Sequence, residues 1–185
     1  MKKKLFEFLP VFLFAALGLV YLQFNAPETE PFTYDDSGYG NARVVRVVDG
    51  DTLVAHIDGM DDEAKIRLLG VNTPESVDPR RPVECFGKEA SAYLKELAEG
   101  RRVLLEEDRE ADERDKYGRL LRHVYLDEGI HVNALLIEEG YGFAYTSFPM
   151  NDESKAEFLA FERKAREGAR GLWHPDSCKD SAVDR

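Results

Sequence analysis

Cysteine, histidine and tryptophan are scarce in this sequence: its 185 residues contain two cysteines, four histidines and one tryptophan. The histidines stand at positions 56, 123, 131 and 174, and they form no ligand-spaced group with the cysteines. Structural zinc sites take their ligands from such groups. The composition therefore does not indicate a zinc protein.

Basic charge is also in short supply. Lysine and arginine number 25 against 36 aspartates and glutamates, which gives a formal net charge of −11 at pH 7. Proteins that bind nucleic acid without sequence specificity normally use broad basic surfaces. A site for a polyanion on this protein must therefore be cationic locally.

One long hydrophobic run occurs, in residues 8–24 (FLPVFLFAALGLVYLQF), directly after a cluster of three lysines. Its length is about the minimum for crossing a bilayer. Residues 21–27 match a signal-peptidase site poorly, so residues 1–24 are interpreted as an uncleaved signal anchor in preference to a cleaved signal peptide. Both interpretations keep the lysines in the cytoplasm and predict an extracytoplasmic protein, membrane-anchored or secreted.

The remainder of the chain is predicted to form one domain. Residues 25–41 are rich in proline, glycine and acidic residues without a hydrophobic period, which is typical of a linker. A hydrophobic fraction of 43% supports a sizeable core. The predicted boundaries are a folded domain at 42–175 and a C-terminal tail at 176–185.

Strands are predicted first along this domain and helices later. Alternating or β-branched segments predict strands at 43–48, 52–57, 64–71, 102–107 and 120–127, the first three forming a meander. Apolar residues at helical spacing predict helices from residue 84 to Gly100, at 131–139 and at 152–167, the last two ended by glycines. The expected fold is α+β and β-rich, a five-stranded OB-fold barrel with about three helices.

The sequence Asp49-Gly50-Asp51 separates the first two predicted strands. Two aspartates at this spacing share a face if the strand continues, and they then repel each other unless a cation lies nearby. An EF-hand loop is excluded because Leu53, Val54 and Met60 occupy its ligand, glycine and glutamate positions. Both a tight hairpin and a metal site remain open from these residues alone.

Five motifs between Arg43 and Trp173 follow one another in a characteristic order: VVDGDT, IRLLGVNTPE, FGKEAS, DKYGR and NALLIEEGYGFAY. In this order they resemble the staphylococcal nuclease family, also called thermonuclease or micrococcal nuclease. The resemblance implies a calcium-dependent phosphodiesterase that acts on DNA and/or RNA as substrate.

The resemblance also assigns roles to individual residues. It implies that Asp51 is a metal ligand supported by Asp49, that Asn72 stands at the position of an acidic ligand, and that Thr73 contributes its backbone carbonyl. Oxygen ligands of this kind suit Ca²⁺. Because Asn72 carries no charge, we expect weaker calcium binding than with an acid at this position.

Three further residues match the catalytic groups of the family. Glu75 corresponds to the proposed general base, while Arg67 and Arg119 correspond to two guanidinium groups that hold the scissile phosphate. Hydrolysis of a phosphodiester requires an activated water and stabilised charge on the phosphoryl oxygens. The planar fork of arginine suits the second task.

Lys116, Tyr117 and Tyr145 resemble residues that contact a terminal phosphate and base of the substrate. Tyrosine at a barrel edge is equally a packing residue, so both interpretations remain open. Ser147 or Phe148 stands near the position of the family's second tyrosine. The acidic composition also differs from the basic best-known member and predicts weaker, more salt-sensitive capture of polynucleotides.

The two cysteines, Cys85 and Cys178, are even in number. Outside the cytoplasm a disulfide between them is expected, tying the tail to the barrel, whereas a reducing compartment would leave two thiols.

Two functional hypotheses result from the sequence. The first is a calcium-dependent nuclease that is exported or held at the membrane by its N-terminal segment. The alternative is a catalytically impaired, nuclease-like domain that binds nucleic acid or a protein partner, and Asn72 is the main argument for it. Nothing in the sequence indicates an oligomer, so a monomer is expected.

Overall fold

The computed structural model describes residues 42–80, 82–127 and 129–178. The predicted hydrophobic segment 8–24 and linker 25–41, together with most of the predicted tail, lie outside these residues. Across the described ranges, no helix has both the length and the apolar character needed to span a bilayer. The predicted domain boundaries therefore stay predictions.

The described chain contains seven strands, three α-helices and a short 3₁₀ helix at Gly171–Trp173. The strands are β1 (Ala42–Asp49), β2 (Thr52–Ile57), β3 (Glu63–Leu68), β4 (Val71–Asn72), β5 (Arg102–Glu106), β6 (Leu120–Leu126) and β7 (Phe143–Ala144). The helices are α1 (Gly87–Ala98), α2 (Val132–Glu138) and α3 (Asp152–Glu167).

Five of the strands form a closed barrel in the order β1-β2-β3-β6-β5, and β4 pairs with β7 in a separate two-stranded sheet. β1, β2 and β3 are antiparallel neighbours, as the predicted meander requires. β3 and β6 pair in parallel and close the barrel. The predicted five-stranded OB-fold barrel with three helices is confirmed.

Helix α1 begins three residues later than the apolar pattern predicts. Phe86, the residue before the helix, has a positive φ of 71°, and the amide of Gly87 donates to the carbonyl of Glu84 in a turn. A left-handed residue interrupts the helical backbone, so the helix starts at Gly87. The C-terminal end agrees with the prediction, because Gly100 has a φ of 77° and ends the helix.

The core fills the barrel and the space between it and the helices. Along α1 the buried positions recur every three or four residues, at Gly87, Ala90, Leu94 and Ala98. Asn133 of α2 is fully buried: its side-chain oxygen accepts from the amide of Val124, and its side-chain nitrogen donates to carbonyls of Leu69 and Arg122. One amide side chain therefore fastens α2 to two parts of the barrel.

Cys85 and Cys178 form a disulfide whose Cα atoms are 5.8 Å apart. The bond connects the turn before α1 to the end of the described chain, 93 residues further on. It leaves no free cysteine among the described residues.

A buried histidine pair, His123 of β6 and His131 directly before α2, packs against Phe158 of α3. His123 Nδ1 is 3.1 Å from His131 Nε2, and His123 Nε2 is 3.5 Å from the Asp108 carboxylate, which also accepts from Asn151. The His131 ring stacks on Tyr125 with centroids 4.4 Å apart. Burial, with His123 nearby, lowers the pKa of His131 to about 3.

This histidine pair is expected to make the fold sensitive to acid. A histidine in the unfolded chain has a pKa of about 6.5. Between that pH and about 3, the unfolded state therefore binds a proton that folded His131 does not. The free energy of unfolding therefore falls as the pH drops through this window. Replacing His131 with phenylalanine is expected to flatten the dependence by up to about 1.4 kcal/mol per pH unit.

Urea unfolding of the full chain at several pH values measures this slope. His174→Phe is the control, because His174 is exposed. The groups that face the pair, Asp108, Glu106 and Glu157, are present in both variants. An equal slope in wild type and His131→Phe would contradict the prediction.

Candidate active site

The turn between β1 and β2 is both a hairpin and an acidic site. Asp49 pairs with Thr52 across the hairpin, which leaves Gly50 and Asp51 as the two turn residues. The carboxyl groups of Asp49 and Asp51 are nevertheless buried, since these residues are 9% and 7% exposed. Of the two interpretations of Asp-Gly-Asp, the hairpin is present, and it directs both acids into one cleft.

This cleft has a volume of about 560 Å³. It is lined by eight of the residues that the sequence singled out: Asp49, Asp51, Arg67, Asn72, Thr73, Glu75, Tyr117 and Arg119. They come from the end of β1 and the turn after it, from strand β3, from β4 and the segment after it, and from the turn before β6. Four stretches distant in sequence thus meet on one surface.

Asp51 contacts three other residues of the cleft through its two carboxylate oxygens. Its Oδ2 forms an ion pair with Arg67 Nη2 at 2.9 Å and accepts from the amide of Thr73 at 3.3 Å, while Oδ1 accepts from the hydroxyl of Thr52 at 2.9 Å. Hydrogen bonds and ion pairs that involve charged groups are among the stronger polar contacts in proteins. Asp51 therefore holds β3 and the segment after β4 against the hairpin.

Arg67 lies at the end of β3 with only 4% of its surface exposed. Burial lowers the pKa of its guanidinium, and the neighbouring Asp51 carboxylate opposes that shift. Its Nη2 also donates to Asn72 Oδ1 at 3.4 Å. A single nitrogen therefore contacts an oxygen of Asp51 and an oxygen of Asn72, which shows that these two oxygens converge.

Arg119 is held by Asp115 four residues earlier. The Asp115 carboxylate accepts from Arg119 Nε at 2.7 Å, from its Nη2 at 2.6 Å and from its backbone amide at 3.0 Å. Burial alone would raise the pKa of Asp115, but these hydrogen bonds hold it below its usual value. Arg119 Nη1 donates to the Thr52 hydroxyl at 3.1 Å, so Thr52 connects Arg119 to Asp51.

Glu75 lies beside Asp49 on another wall of the cleft. Burial alone would raise the pKa of Glu75, but the amides of Val77 and Asp78 donate to its Oε1 and hold that pKa below the usual value. Burial raises the pKa of Asp49 to about 6, although hydrogen bonds from Ser76 and Gly50 oppose the shift, and the charges of Asp51 and Glu75 add to it. Glu75 is thus ionised at neutral pH.

Three residues of the site were missed by sequence reasoning: Thr52, Ser76 and Asp115. Ser76 donates its hydroxyl to Asp49 at 2.5 Å. Thr52 and Asp115 lie inside the motifs VVDGDT and DKYGR, so their motif membership was the available signal. Asp115 has a second signal, since an aspartate three residues before a glycine is typical of a turn.

The three predicted substrate contacts are placed differently from one another. Tyr117 lines the cleft and is 73% exposed. Lys116 is exposed outside the lining, with its ammonium 5.0 Å from the Tyr117 ring centre. Tyr145 also lies outside the lining and packs edge-to-face on Phe148, with centroids 5.2 Å apart. The structure therefore brings only Tyr117 into the cleft.

The oxygen atoms around Asp51 suit a hard cation. Within the described ranges no group of three or more His, Cys, Asp or Glu side chains is arranged to hold a metal ion. The predicted ligands instead combine one carboxylate, one amide oxygen and one backbone carbonyl, a mixed oxygen set of the kind that calcium accepts. The acids Asp49, Asp51 and Glu75 give this part of the cleft negative charge that a cation would offset.

Thr73 is packed tightly into this region. Its hydroxyl is buried and has no hydrogen-bond partner, and a Cβ added to Gly50 would approach that hydroxyl to 2.6 Å. The turn glycine therefore allows the hairpin to lie directly on Thr73. By the chemistry of their oxygen atoms, the predicted ligands Asp51, Asn72 and Thr73 fit an oxygen-ligated calcium ion.

Comparison with known families gives one match over most of the folded domain. The model of the family described as staphylococcal nuclease homologue matches residues 65–175. This range includes Arg67, Asn72, Thr73, Glu75 and Arg119, while the β1–β2 turn precedes it.

Three curated relatives are similar over a large part of the chain. An uncharacterized protein of Bacillus anthracis is 39% identical over 131 residues, covering 71% of this chain and 59% of that protein. A thermonuclease of Staphylococcus intermedius is 39% identical over 130 residues, covering 70% of this chain and 74% of the relative. A thermonuclease of Staphylococcus hyicus is 33% identical over 168 residues, covering 88% of this chain and 94% of the relative. This chain thus spans less than two thirds of the first relative and most of the other two.

Proposed function

We propose that this chain, which belongs to the staphylococcal nuclease family, hydrolyses phosphodiester bonds of DNA, RNA or both with a bound calcium ion. The observation that carries the proposal is the composition of one cleft. Two guanidinium groups, Arg67 and Arg119, line the same 560 Å³ cleft as Asp51 and Glu75. This arrangement provides both a binding site for a phosphate diester and a base for water.

Asp51, the side-chain oxygen of Asn72 and the backbone carbonyl of Thr73 would hold the calcium ion. When bound there, calcium would supply positive charge that polarises a phosphate oxygen and a water molecule. Asp49 supports the site from the opposite side of the turn. Arg67 Nη2 contacts an oxygen of Asp51 and an oxygen of Asn72, so these two oxygens lie close enough together to share one cation.

The two arginines would bind the non-bridging oxygens of the scissile phosphate. Arg119 is suited to this because the neutral hydroxyl of Thr52 accepts from its Nη1, and a phosphate oxygen is a stronger acceptor than that hydroxyl. Asp115 holds the remaining nitrogens of the guanidinium in place. Arg67 is buried, so its charge acts on the phosphate with little screening by water.

Glu75 would accept the proton from the attacking water. The amides of Val77 and Asp78 bind its Oε1, which fixes the carboxylate and keeps it ionised at neutral pH. Proton transfer to a positioned base contributes about 10²- to 10⁴-fold to the rate of a hydrolysis. Glu75, the two arginines and the oxygen ligands of the ion thus have separate roles.

Restoring the charge at position 72 is expected to tighten calcium binding. Asn72→Asp adds a second carboxylate beside Asp51, and calcium affinity rises with ligand charge. The calcium concentration for half-maximal cleavage of single-stranded DNA is expected to fall by about tenfold, which corresponds to about 1.4 kcal/mol. Lys88→Gln is the control, because it changes the net charge equally at an exposed position of α1.

Cleavage in calcium and in excess chelator tests the proposal itself. We expect cleavage with calcium and none in chelator. Equal rates in both would refute calcium dependence. If neither wild type nor Asn72→Asp cleaves nucleic acid but both still bind it, the proposal is wrong. The chain would then be a binding domain with impaired catalysis.

We further propose that the protein acts as a monomer outside the cytoplasm, either anchored by its N-terminal segment or secreted. The hydrophobic run at 8–24 behind a lysine cluster supports export. The Cys85–Cys178 disulfide also supports it, because such bonds persist mainly in oxidising compartments. Cell fractionation tests the location, and a cytoplasmic pool would contradict the proposal. The mass of the isolated protein shows whether the N-terminal segment has been removed. Its sedimentation gives the oligomeric state.

A further inference from the structure

The main chain of Glu75 is held by a residue nine positions later, Glu84. The amide of Glu75 donates to Glu84 Oε2 at 2.9 Å, and the amide of Glu84 donates to the carbonyl of Glu75 at 2.8 Å. These two hydrogen bonds close the loop 76–83, which carries the Val77 and Asp78 amides that bind the Glu75 carboxylate. Both the backbone and the side chain of Glu75 are therefore fixed by this one loop.

The start of α1 supports the same backbone from the other side. A Cβ added to Gly87 would lie 2.8 Å from the carbonyl oxygen of Glu75, so only glycine allows this close approach. Phe86 has a positive φ of 71°, a conformation that costs energy for a residue with a side chain. The chain keeps this strained turn directly beside Glu75.

Cys85 lies inside this turn, between Glu84 and Phe86. Its disulfide with Cys178 attaches the turn to the end of the described chain. The amide of Gly87 donates to the carbonyl of Glu84, which completes a tight turn around Cys85. A covalent bond therefore restrains the residue next to Glu84.

We propose that Glu84 is a positioning residue for the base Glu75, and that the Cys85–Cys178 disulfide keeps Glu84 in place. This inference rests on the proposed role of Glu75 in catalysis. A base must lie within hydrogen-bond reach of the water, and a displacement of about 1 Å can cost about 10²-fold in rate. Glu84 also lines the cleft, but the contact that carries the proposal is its hydrogen bond to the amide of Glu75.

A change of charge near the cleft is a competing explanation for any effect of Glu84, since both are acids. The two explanations differ for glutamine. Its amide oxygen still accepts from the backbone amide of Glu75, whereas its charge is gone. Alanine removes both the charge and the acceptor.

The first experiment compares Glu84→Ala, Glu84→Gln and the exposed α1 control Glu89→Ala in the full chain with saturating calcium. We expect kcat to fall at least about tenfold in Glu84→Ala with KM within about twofold, and Glu84→Gln to recover most of kcat. Glu89→Ala should match wild type. Unchanged kcat in Glu84→Ala, or equal losses in the alanine and glutamine variants, would overturn the positioning role.

The second experiment tests the disulfide with the double variant Cys85→Ser/Cys178→Ser. We expect a lower kcat at temperatures well below its melting point, and a smaller additional loss when Glu84→Ala is combined with it, because both changes release the same backbone. A lower melting temperature with wild-type kcat would overturn the role of the disulfide. Fully additive losses would overturn its action through Glu84.

Glu75→Gln separates this inference from the proposed function. A strong loss in Glu75→Gln with normal kcat in Glu84→Ala would refute positioning while leaving the base in place. Wild-type activity of Glu75→Gln would refute the catalytic role of Glu75 and the inference with it. Circular dichroism of each variant establishes that it is folded.

Discussion

Replacing Arg119 with lysine is expected to lower kcat by about 10²-fold or more while the melting temperature changes little. Lysine keeps the positive charge but loses the planar fork that binds two phosphate oxygens at once. Removing one well-placed donor to a developing charge costs about 3 kcal/mol at the transition state. The Arg119 side chain is 23% exposed and lysine keeps a positive charge beside the buried Asp115 carboxylate, so the fold should lose less than when a buried charge is left unpaired.

Steady-state kinetics on single-stranded DNA measures this loss. Arg109→Lys is the control, since Arg109 is exposed in the loop before the same turn. Arg67→Lys provides a contrast: Arg67 is buried and paired with Asp51, so both activity and melting temperature should fall. Wild-type kcat in Arg119→Lys would show that this fork does not bind the phosphate.

Replacing Glu75 with glutamine is expected to lower kcat by about 10²- to 10⁴-fold. The glutamine oxygen still accepts from the amides of Val77 and Asp78, so the loop keeps its conformation. The side chain can no longer take a proton from water. The calcium concentration for half-maximal activity should change much less than kcat, because Glu75 contributes charge near the ion but is not among the proposed ligands.

The pH dependence of kcat provides a second measurement for this variant. The acidic limb that reports ionisation of the base should disappear from the residual activity of Glu75→Gln. Glu89→Gln, which removes the same charge from the exposed face of α1, is the control. Titration of Asp49, whose pKa is about 6, is present in both proteins, so a further acidic limb at lower pH that persists in Glu75→Gln would assign the base to another group.

The sequence predicted the barrel because its strands have local signals. The Asp49-Gly50-Asp51 turn, the alternation in β3 and the glycine after α1 each specify an element without help from distant residues. The later start of α1 has the opposite cause. Phe86 fits the apolar pattern, but the approach of Gly87 to Glu75 forces a turn there that no local pattern shows.

The partners of the site residues could not be predicted because they depend on strand register. Thr52 is opposite Arg67 in the β2–β3 pair, and this register brings its hydroxyl between Asp51 and Arg119. A shift by one residue would direct Thr52 to the other face of the sheet. The family motifs identify which residues belong to the candidate site, while the strand register decides which of those residues contact one another.

The parallel pairing of β3 with β6 decides when the candidate site is assembled as the chain folds. Parallel neighbours require a long crossover, and here the crossover ends at Arg119, directly before β6. A nascent chain that has not yet emerged as far as β6 carries Arg67 alone and an open sheet. The candidate site is therefore complete only once β6 has paired with β3 and brought Arg119 beside Arg67.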